Sequence, residues 1–312
     1  MIDLSIVMVT YNHEKYVKDA IESILMQWTQ YKYEILIGDD SSEDTTAKIL
    51  GEYQELYPDK IRLIKRTENI GATKNLHDLL LKTKGRYIAY LEGDDFWSDN
   101  GKIEKQISLL ECGFYFGIAH ANYRVDMKGN IFGETCYFDE PTEITINDLL
   151  KTSGIFHTAT LMHKNFFLNS DLDFSIIFEA HKLISDYTIA CLCLNNGPIL
   201  YIPDKLSSYR ENLSNNGGNA SAIIRRNMIG EYEEIITMYS KLESYFDKKY
   251  NFDYTKAVRA LELISTYLVK KNTTLKHISG FTRKLSYKTK LFTIHLFVRK
   301  LCSYIRKKLI VF

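Results

Sequence analysis

The sequence reads Leu4-Ser5-Ile6-Val7-Met8-Val9-Thr10 close to its first residue, and this run predicts a buried strand. Its four central residues are all apolar, which is typical of a strand covered by helices on both faces of a parallel sheet. Further β-rich runs follow at 33–38, 61–65 and 87–91, and apolar residues at helical spacing occupy 14–28, 45–57 and 73–83. This alternation predicts βαβ units and a parallel sheet.

The rest of the chain has a looser pattern. It predicts a helix over 102–112, a strand over 114–125, a loop-rich stretch to about 141 and a second ordered block from 155. Two helices are predicted within 221–271. We therefore expect an α/β domain over 1–215, in halves 1–100 and 101–215, with a mainly parallel sheet flanked by helices. Residues 216–312 are predicted to form a C-terminal helical extension.

The composition is that of an ordinary globular protein, since 45% of the 312 residues are hydrophobic and 25% are charged. The five cysteines lack the spacing of a zinc site and the density of a disulfide scaffold, so we expect reduced thiols in a cytoplasmic protein. There is no signal-peptide pattern and no apolar stretch of about 18 residues, which disfavours both secretion and a membrane span.

Polar residues follow the predicted strands at the ends where open α/β sheets bind ligands. Two of these ends carry paired carboxylates, Asp39-Asp40 after the second strand and Glu92-Gly93-Asp94-Asp95 after the fourth. Helix capping explains any one of these aspartates, but it does not easily explain both pairs. Crowded carboxylates repel one another unless a cation or donors compensate them. The cluster therefore predicts a divalent-metal site, with Mg²⁺ or Mn²⁺ completing its coordination through water and phosphate oxygens.

Four motifs, in this order and spacing, resemble the GT-A fold glycosyltransferases of family 2. They are Ser5-Ile6-Val7-Met8-Val9-Thr10-Tyr11-Asn12, Ile37-Gly38-Asp39-Asp40-Ser41-Ser42-Glu43-Asp44-Thr45, Asn69-Ile70-Gly71 with Lys74-Asn75, and Leu91-Glu92-Gly93-Asp94-Asp95. The match covers about the first third of the chain. It implies a GT-A fold, a nucleotide-diphosphate sugar as donor, and Mn²⁺ or Mg²⁺ as cofactor.

The resemblance also implies roles for individual residues. Contacts with the nucleotide sugar are implied for Thr10, Tyr11, Asn12, Asp40, Asn69, Lys74, Glu92, Gly93, Asp94 and Arg210. Asp40 would accept a hydrogen bond from the uracil imide, with Asp39 as the alternative, and Asp94 and Asp95 would hold the metal. The family usually has Asp where Glu92 stands and often Arg where Lys74 stands. Lysine offers phosphate a point charge but no bidentate fork.

A candidate catalytic base lies in the second half of the chain. Ser185-Asp186-Tyr187-Thr188 opens a predicted apolar helix, and a predicted strand at 199–203 leads to Tyr209-Arg210. This order resembles the family segment whose helix-start Asp is the general base, while a helix N-cap is the alternative for Asp186. A carboxylate that removes a proton from the attacking hydroxyl typically accelerates transfer ~10²–10⁴-fold.

The acceptor side departs from the family in one respect. The family often has a His two residues after the Tyr-Arg pair, and this chain has Asn212 there. We therefore expect the metal to be held mainly by Asp94 and by substrate oxygens. His157 and Tyr209 are candidates for acceptor contacts, with a structural role as the alternative for His157.

The C-terminal tail is a separate electrostatic segment. Residues 270–312 contain 12 Lys or Arg and no Asp or Glu, which leaves 28 basic and 39 acidic residues, a net charge of −11, in 1–269. Apolar residues recur at helical spacing at 291, 294, 298, 301 and 305, beside 297 and 304, and the basic residues 299, 300 and 306–308 take other positions. This pattern predicts a basic amphipathic helix on an anionic membrane surface. A helix docked on the body or on a partner subunit is the alternative, and no nucleic-acid motif accompanies the charge.

Together these patterns predict an inverting glycosyltransferase, which moves a sugar from a UDP-sugar to a hydroxyl of a glycan or lipid-linked oligosaccharide in cell-surface polysaccharide synthesis. We expect it on the cytoplasmic, inner face of the cell membrane, where a homo-oligomer is possible. One alternative is a sugar-nucleotide or glycan-binding subunit without catalysis. Another is a nucleotidyltransferase, which usually has a Gly-rich, basic loop after its first strand. Residues 10–14 form no such loop.

Overall fold

The computed structural model describes residues 2–152, 154–168, 170–212, 226–269 and 285–309, with the backbone alone for 229, 266–269 and 300–309. Its first part alternates strands and helices as predicted. The elements are β1 (Leu4–Thr10), α1 (Val17–Leu25), β2 (Tyr33–Asp39), α2 (Thr46–Leu56), β3 (Ile61–Lys65), α3 (Ala72–Leu80) and β4 (Tyr87–Glu92).

The second part adds shorter strands and the C-terminal helices. Its elements are β5 (Phe96–Trp97), α4 (Lys102–Glu111), β6 (Gly117–Val125), β7 (Ile131–Thr135), β8 (Thr142–Ile144), α5 (Ile146–Leu149), a 3-10 turn (Thr158–Thr160), β9 (Met162–Lys164), α6 (Ile176–Glu179), α7 (Asp186–Asn196), β10 (Ile199–Arg210), α8 (Met228–Tyr245), α9 (Asp253–Val269) and α10 (Tyr287–Leu309).

One mixed sheet joins the described strands. β1 pairs in parallel with β2 and β4 on its two sides, and β2 pairs in parallel with β3. Beyond β4 the order continues through β9, β6, β10 and β5, with β9 antiparallel to both neighbours and β10 parallel to β6. The prediction of a mixed, mainly parallel sheet is confirmed. The parallel strands β1–β4 end together, and we call the edge formed by their C-terminal residues the carboxyl edge.

Both faces of β1 are buried, as its apolar run predicts. Val7 packs into a core on one side of the sheet, and Ile6 and Met8 pack into a core on the other. Each of the three side chains is at most 1% exposed. Because successive side chains of a strand point to opposite faces, a strand between two helical layers needs apolar residues at every position.

The helix α8 belongs to the core of the first part, and α9 packs against α8 in a smaller apolar cluster of its own. Tyr239 and Leu242 of α8 are buried in the same core as Val7, and the Tyr239 ring lies 4.9 Å from the ring of Tyr187 in α7. The two helices predicted within 221–271 are therefore present. The predicted domain boundary between 215 and 216 lies outside the described residues.

Two features differ from the sequence-based expectations. The strand predicted over 199–203 continues as β10 to Arg210, with irregular register against β6 between Ile202 and Ser207. The stretch predicted as loop before 141 contains β7, which pairs with β6. Among the described residues, no helix has the length and apolarity needed to cross a membrane.

The packing of α8 predicts that truncating Leu242 lowers the stability of the whole domain. Leu242 is fully buried, so Leu242→Ala should lower the free energy of unfolding by about 2–5 kcal/mol in urea denaturation. The exposed residue Thr237 of the same helix provides the matched control, Thr237→Ala. Equal unfolding midpoints for the two variants would contradict a shared core.

Candidate active site

The loop after β1 is tied to the loop after β2. Asn12 and Ser41 both have left-handed backbone, with φ of 56° and 65°. The Asn12 amide N–H donates to Ser42 Oγ (3.0 Å), and the Asn12 side-chain oxygen accepts from the Glu43 amide (2.8 Å). Tyr11 remains 39% exposed between them. Asn12 therefore holds the loop after β1 against the loop after β2. Its contact with the nucleotide stays a prediction.

Asp40 is buried and connects β2 to the segment before α3. Its two carboxylate oxygens accept hydrogen bonds from the backbone amides of Ile70 and Gly71, each at 2.9 Å. Gly71 has φ of 90°, a conformation that favours glycine. Each Asp40 oxygen has a further lone pair, so its bond to a uracil imide stays a prediction. Asp39 instead accepts from the Ser42 hydroxyl and amide within the turn that follows β2.

Asn69 and Lys74 flank this segment on the protein surface. Asn69 is exposed and accepts from the Gly71 amide at 3.1 Å. Lys74 is exposed on the first turn of α3 and forms no ion pair with the residues that the structure describes. Both side chains are therefore exposed, and their contacts with the ribose and diphosphate stay predictions.

The acidic cluster at the end of β4 contains carboxylate oxygens that lack donors. Glu92 Oε2 and Asp95 Oδ2 are buried and have no hydrogen-bond partner among the described residues. The other Asp95 oxygen, Oδ1, accepts from the Arg210 backbone amide at 2.7 Å. Burial raises the pKa of Glu92 to about 7 and the pKa of Asp95 well above its usual range, because a buried charge loses its hydration.

These orphaned oxygens fit a divalent cation. Ligand atoms of Glu92, Asp95 and His157 all lie within 4.8 Å of one another. Hard divalent cations take carboxylate oxygens, and Mn²⁺ also accepts imidazole nitrogen. The sequence predicted Asp94 and Asp95 as metal ligands. The structure groups Asp95 with Glu92 and His157 instead, while Asp94 faces a neighbouring cavity.

That cavity has a volume of about 390 Å³ and lies beside the loop after β1. We call it the donor cavity; its lining includes Tyr11, Asn12, His13, Asp94 and Asn212. His13 Nε2 lies 3.9 Å from Asp94 Oδ2. The sequence analysis missed His13, although its place directly after Thr10-Tyr11-Asn12 is a signal that could have identified it.

Gly93 allows β1 and β4 to approach closely at this edge. A Cβ atom on Gly93 would lie 2.6 Å from Thr10 Oγ1 and 2.9 Å from His13 Nδ1, closer than real contacts allow. Thr10 Oγ1 and His13 Nδ1 are both buried without a hydrogen-bond partner in the described residues. The absence of a side chain at Gly93 therefore leaves room for the two polar side chains, Thr10 and His13, on the donor side.

Arg210 is buried beneath the acidic cluster. Its Nε donates to the Asp94 backbone oxygen at 2.8 Å, and its guanidinium pairs with Asp19 at 3.1 Å. The guanidinium also lies 4.7 Å from the Tyr16 ring and 5.2 Å from the Phe96 ring. Its side chain is only 2% exposed. These contacts make Arg210 a positioning residue for Asp94 and Asp95, and the donor contact predicted for it stays a prediction.

Asp186 is the first residue of α7 and is about one-third exposed. Its Oδ1 accepts from the Thr158 hydroxyl at 2.5 Å, and its Oδ2 lies 3.7 Å from His157 Nε2. Ser185, not Asp186, occupies the N-cap position. The side chain therefore faces the 157–158 turn, and the N-cap alternative is not what the structure shows.

A second cavity, of about 210 Å³, lies against Asp186. We call it the acceptor cavity; His157, Tyr137 and Phe156 line it with Asp186. The His157 ring packs 4.7 Å from the Tyr209 ring. His157 therefore lies beside the candidate base and Tyr209 lies beside His157, and their binding roles stay predictions.

A separate cluster of His181, Glu231 and Glu234 is unsuited to a metal. His181 Nδ1 accepts from the amides of Leu183 and Ile184, both at 3.1 Å. The neutral ring must then carry its proton on Nε2, which lies 3.5 Å from Glu231 and 3.6 Å from Glu234. Nε2 has no lone pair to offer a cation, so the cluster links α8 to the segment before Asp186.

Comparison with known proteins supplies the family. The model of glycosyl transferase family 2 matches residues 5–168, and this chain belongs to that family. The family predicted from the four motifs is therefore confirmed.

Curated relatives match over part of their length. WfgD of Escherichia coli, a UDP-Glc:alpha-D-GlcNAc-diphosphoundecaprenol beta-1,3-glucosyltransferase, is 36% identical over 49% of this chain and 56% of its own. TuaG of Bacillus subtilis, a putative teichuronic acid biosynthesis glycosyltransferase, is 34% identical over 36% of this chain and 45% of its own. The chain spans less than two thirds of the length of these relatives.

Solved structures confirm the GT-A fold. A TarS fragment from S. aureus superposes with a TM-score of 0.62 at 13% identity, covering 93% of this chain and 83% of that one. The mannosyltransferase PcManGT from Pyrobaculum calidifontis, in complex with GDP-Man and Mn²⁺, has a TM-score of 0.51 at 14% identity, covering 93% and 83%. At these identities the likeness concerns the fold alone.

The buried carboxyls predict a pH dependence of stability that a cation removes. The raised pKa of Glu92 means that its stabilising contribution is complete below its unfolded pKa of about 4.5 and is lost as pH rises through about 7. Without metal, the free energy of unfolding should fall by roughly 3 kcal/mol between about pH 5 and pH 8. Saturating Mn²⁺ should flatten this slope, as measured by chemical denaturation at several pH values.

Glu92→Gln should make the same slope shallower without metal, because the neutral amide has no proton to lose, while Asp95 keeps its own contribution. Glu140 is exposed, so Glu140→Gln is the matched control and should leave the slope unchanged. If neither Mn²⁺ nor Glu92→Gln alters the slope, the acidic cluster is not the cation site.

Proposed function

We propose that this chain is an inverting glycosyltransferase that moves a sugar from a nucleotide-diphosphate sugar to a hydroxyl group. The observation that carries the proposal is the pair of orphaned carboxylate oxygens on Glu92 and Asp95, next to the imidazole that reaches Asp186. A cation held there would bind the donor diphosphate and neutralise charge on the departing nucleotide. Mn²⁺ and Mg²⁺ both suit the oxygen donors.

Asp186 is proposed as the general base. Its carboxylate lies in the acceptor cavity, where Thr158 holds one oxygen and the other faces His157. A hydroxyl bound in that cavity would lose its proton to Asp186 as the new bond forms. Attack on the sugar from the side opposite the diphosphate inverts the anomeric carbon. One base and one metal site suffice for this single displacement.

We further propose a UDP-sugar as donor and a lipid-linked acceptor. WfgD and WfaP of Escherichia coli, 36% and 32% identical to this chain over their matched parts, are both named for UDP-Glc and for alpha-D-GlcNAc-diphosphoundecaprenol. Such an acceptor is anchored in a membrane, so the proposal includes a peripheral place on the cytoplasmic, inner face. The pathway would be the synthesis of a cell-surface polysaccharide.

The proposal predicts that Asp186→Asn abolishes transfer and spares donor binding. An amide cannot remove the hydroxyl proton, so the turnover rate should fall ~10²–10⁴-fold, measured as UDP released from a panel of UDP-sugars with Mn²⁺ and a GlcNAc-diphosphate lipid. UDP affinity, measured by calorimetry, should change less than about threefold, because the base belongs to the acceptor side.

Asp204→Asn provides the matched control, since Asp204 is a surface aspartate paired with Lys105 outside both cavities. It should retain full activity. Binding of UDP without turnover of any donor by the unaltered chain would favour the non-catalytic sugar-nucleotide-binding alternative. Full activity of Asp186→Asn would contradict the assignment of the base.

A further inference from the structure

The last described helix, α10, turns a polar face toward the body of the protein. Thr289 and Thr293 are 0% and 6% exposed. Thr289 Oγ1 donates to Asp253 Oδ1 at the start of α9 (2.8 Å), and the Ser286 hydroxyl donates to the same oxygen (3.1 Å). Hydrogen bonds to one carboxylate therefore fasten this helix to the body, together with Leu285, the buried apolar residue just before it.

The opposite face of α10 is apolar and exposed. Six large apolar side chains within 12 residues are 40–76% exposed, and they are Tyr287, Leu291, Phe292, Ile294, Phe297 and Val298. We call these six residues the outer face. Soluble monomers rarely leave a contiguous apolar patch of this kind in water, and such patches mark contact surfaces. Phe292 also lies edge-on to the Tyr254 ring of α9, with 6.2 Å between the ring centres. The alternative in which the helix docks on the body therefore holds for its polar face and for Phe292, while all six outer-face side chains keep 40–76% of their surface exposed.

The charge of the tail identifies the partner. Residues 270–312 carry 12 basic and no acidic residues, and Lys288, Lys290 and Arg299 lie on the same helix as the outer face. A symmetric contact between two copies of this helix would bring two strongly cationic segments together, which is repulsive. An anionic lipid surface satisfies both features, because its headgroups attract the basic residues and its acyl boundary takes apolar side chains.

We propose that α10 binds the surface of an anionic lipid bilayer, with the outer face at the boundary between headgroups and acyl chains. The helix lies along the surface and does not span the membrane. This inference rests on the proposed function and deepens it, because it brings the protein to the surface where a lipid-linked acceptor resides. The observations that support membrane binding concern only the exposure and the charge of the C-terminal segment.

The test is flotation of the full chain with extruded vesicles, made either of phosphatidylcholine alone or with about one third phosphatidylglycerol. We expect binding to the anionic vesicles and little to the neutral ones, with affinity that falls as salt is raised. The variant Leu291→Ser/Ile294→Ser/Phe297→Ser/Val298→Ser should bind anionic vesicles roughly tenfold more weakly or worse.

A second variant, Lys288→Gln/Lys290→Gln/Arg299→Gln, tests the charge separately and should bind roughly tenfold more weakly. The matched control replaces four apolar residues that are equally exposed elsewhere, Met26→Ser/Leu56→Ser/Leu81→Ser/Leu172→Ser, and should bind like the unaltered chain. Apart from Lys290, which is partly buried, the substituted side chains are exposed, so the variants should keep the thermal unfolding midpoint.

Absence of binding to anionic vesicles would overturn the proposal, as would unchanged binding by the outer-face variant. A dimer in solution that the outer-face variant converts to a monomer, without vesicle binding by the unaltered chain, would assign the face to a second copy instead. UDP release from donor, measured without vesicles, should be equal in all variants. Its absence in every protein would count against the proposed function, not against membrane binding.

Discussion

Two buried carboxylate oxygens without donors, on Glu92 and Asp95, are the constraint on which the carboxyl edge depends. The protein supplies only partial compensation: the Arg210 amide reaches one Asp95 oxygen, while the Arg210 guanidinium is used by Asp19 and by the Asp94 backbone. An uncompensated buried carboxylate is costly, and the raised pKa values express that cost. A cation that arrives with the donor diphosphate would remove it. The same burial that makes these two carboxylates costly would strengthen their hold on the ion.

The C-terminal helices connect this chemistry to the rest of the fold. His181 faces Glu231 of α8 from the segment just before Asp186, and Tyr187, the residue after Asp186, packs against Tyr239 of the same helix. The residues before and after Asp186 therefore both contact α8, a helix that the sequence analysis assigned to a C-terminal extension. α9 in turn receives the threonine face of α10. A continuous series of packed helices therefore joins the proposed lipid-facing surface to the acceptor cavity.

The sequence predicted the features that follow from local rules. The β1 run follows from burial on both faces, and the acidic cluster and Asp186 follow from chemistry at element ends. It did not predict contacts between distant segments. Arg210 pairs with Asp19, 191 positions earlier, and this contact exists only because β10 continues along β6 to residue 210. Helical periodicity likewise identified an amphipathic α10, but periodicity alone does not tell which face packs on the body.

The most direct test of the central claim is the position of Mn²⁺ in crystals grown with UDP, recorded as anomalous scattering at the manganese edge. The account predicts one strong peak in contact with the carboxylates of Glu92 and Asp95 and with the UDP diphosphate. Nucleotide bound in the donor cavity with no manganese peak at these carboxylates, or a peak confined to another part of the chain, would contradict it.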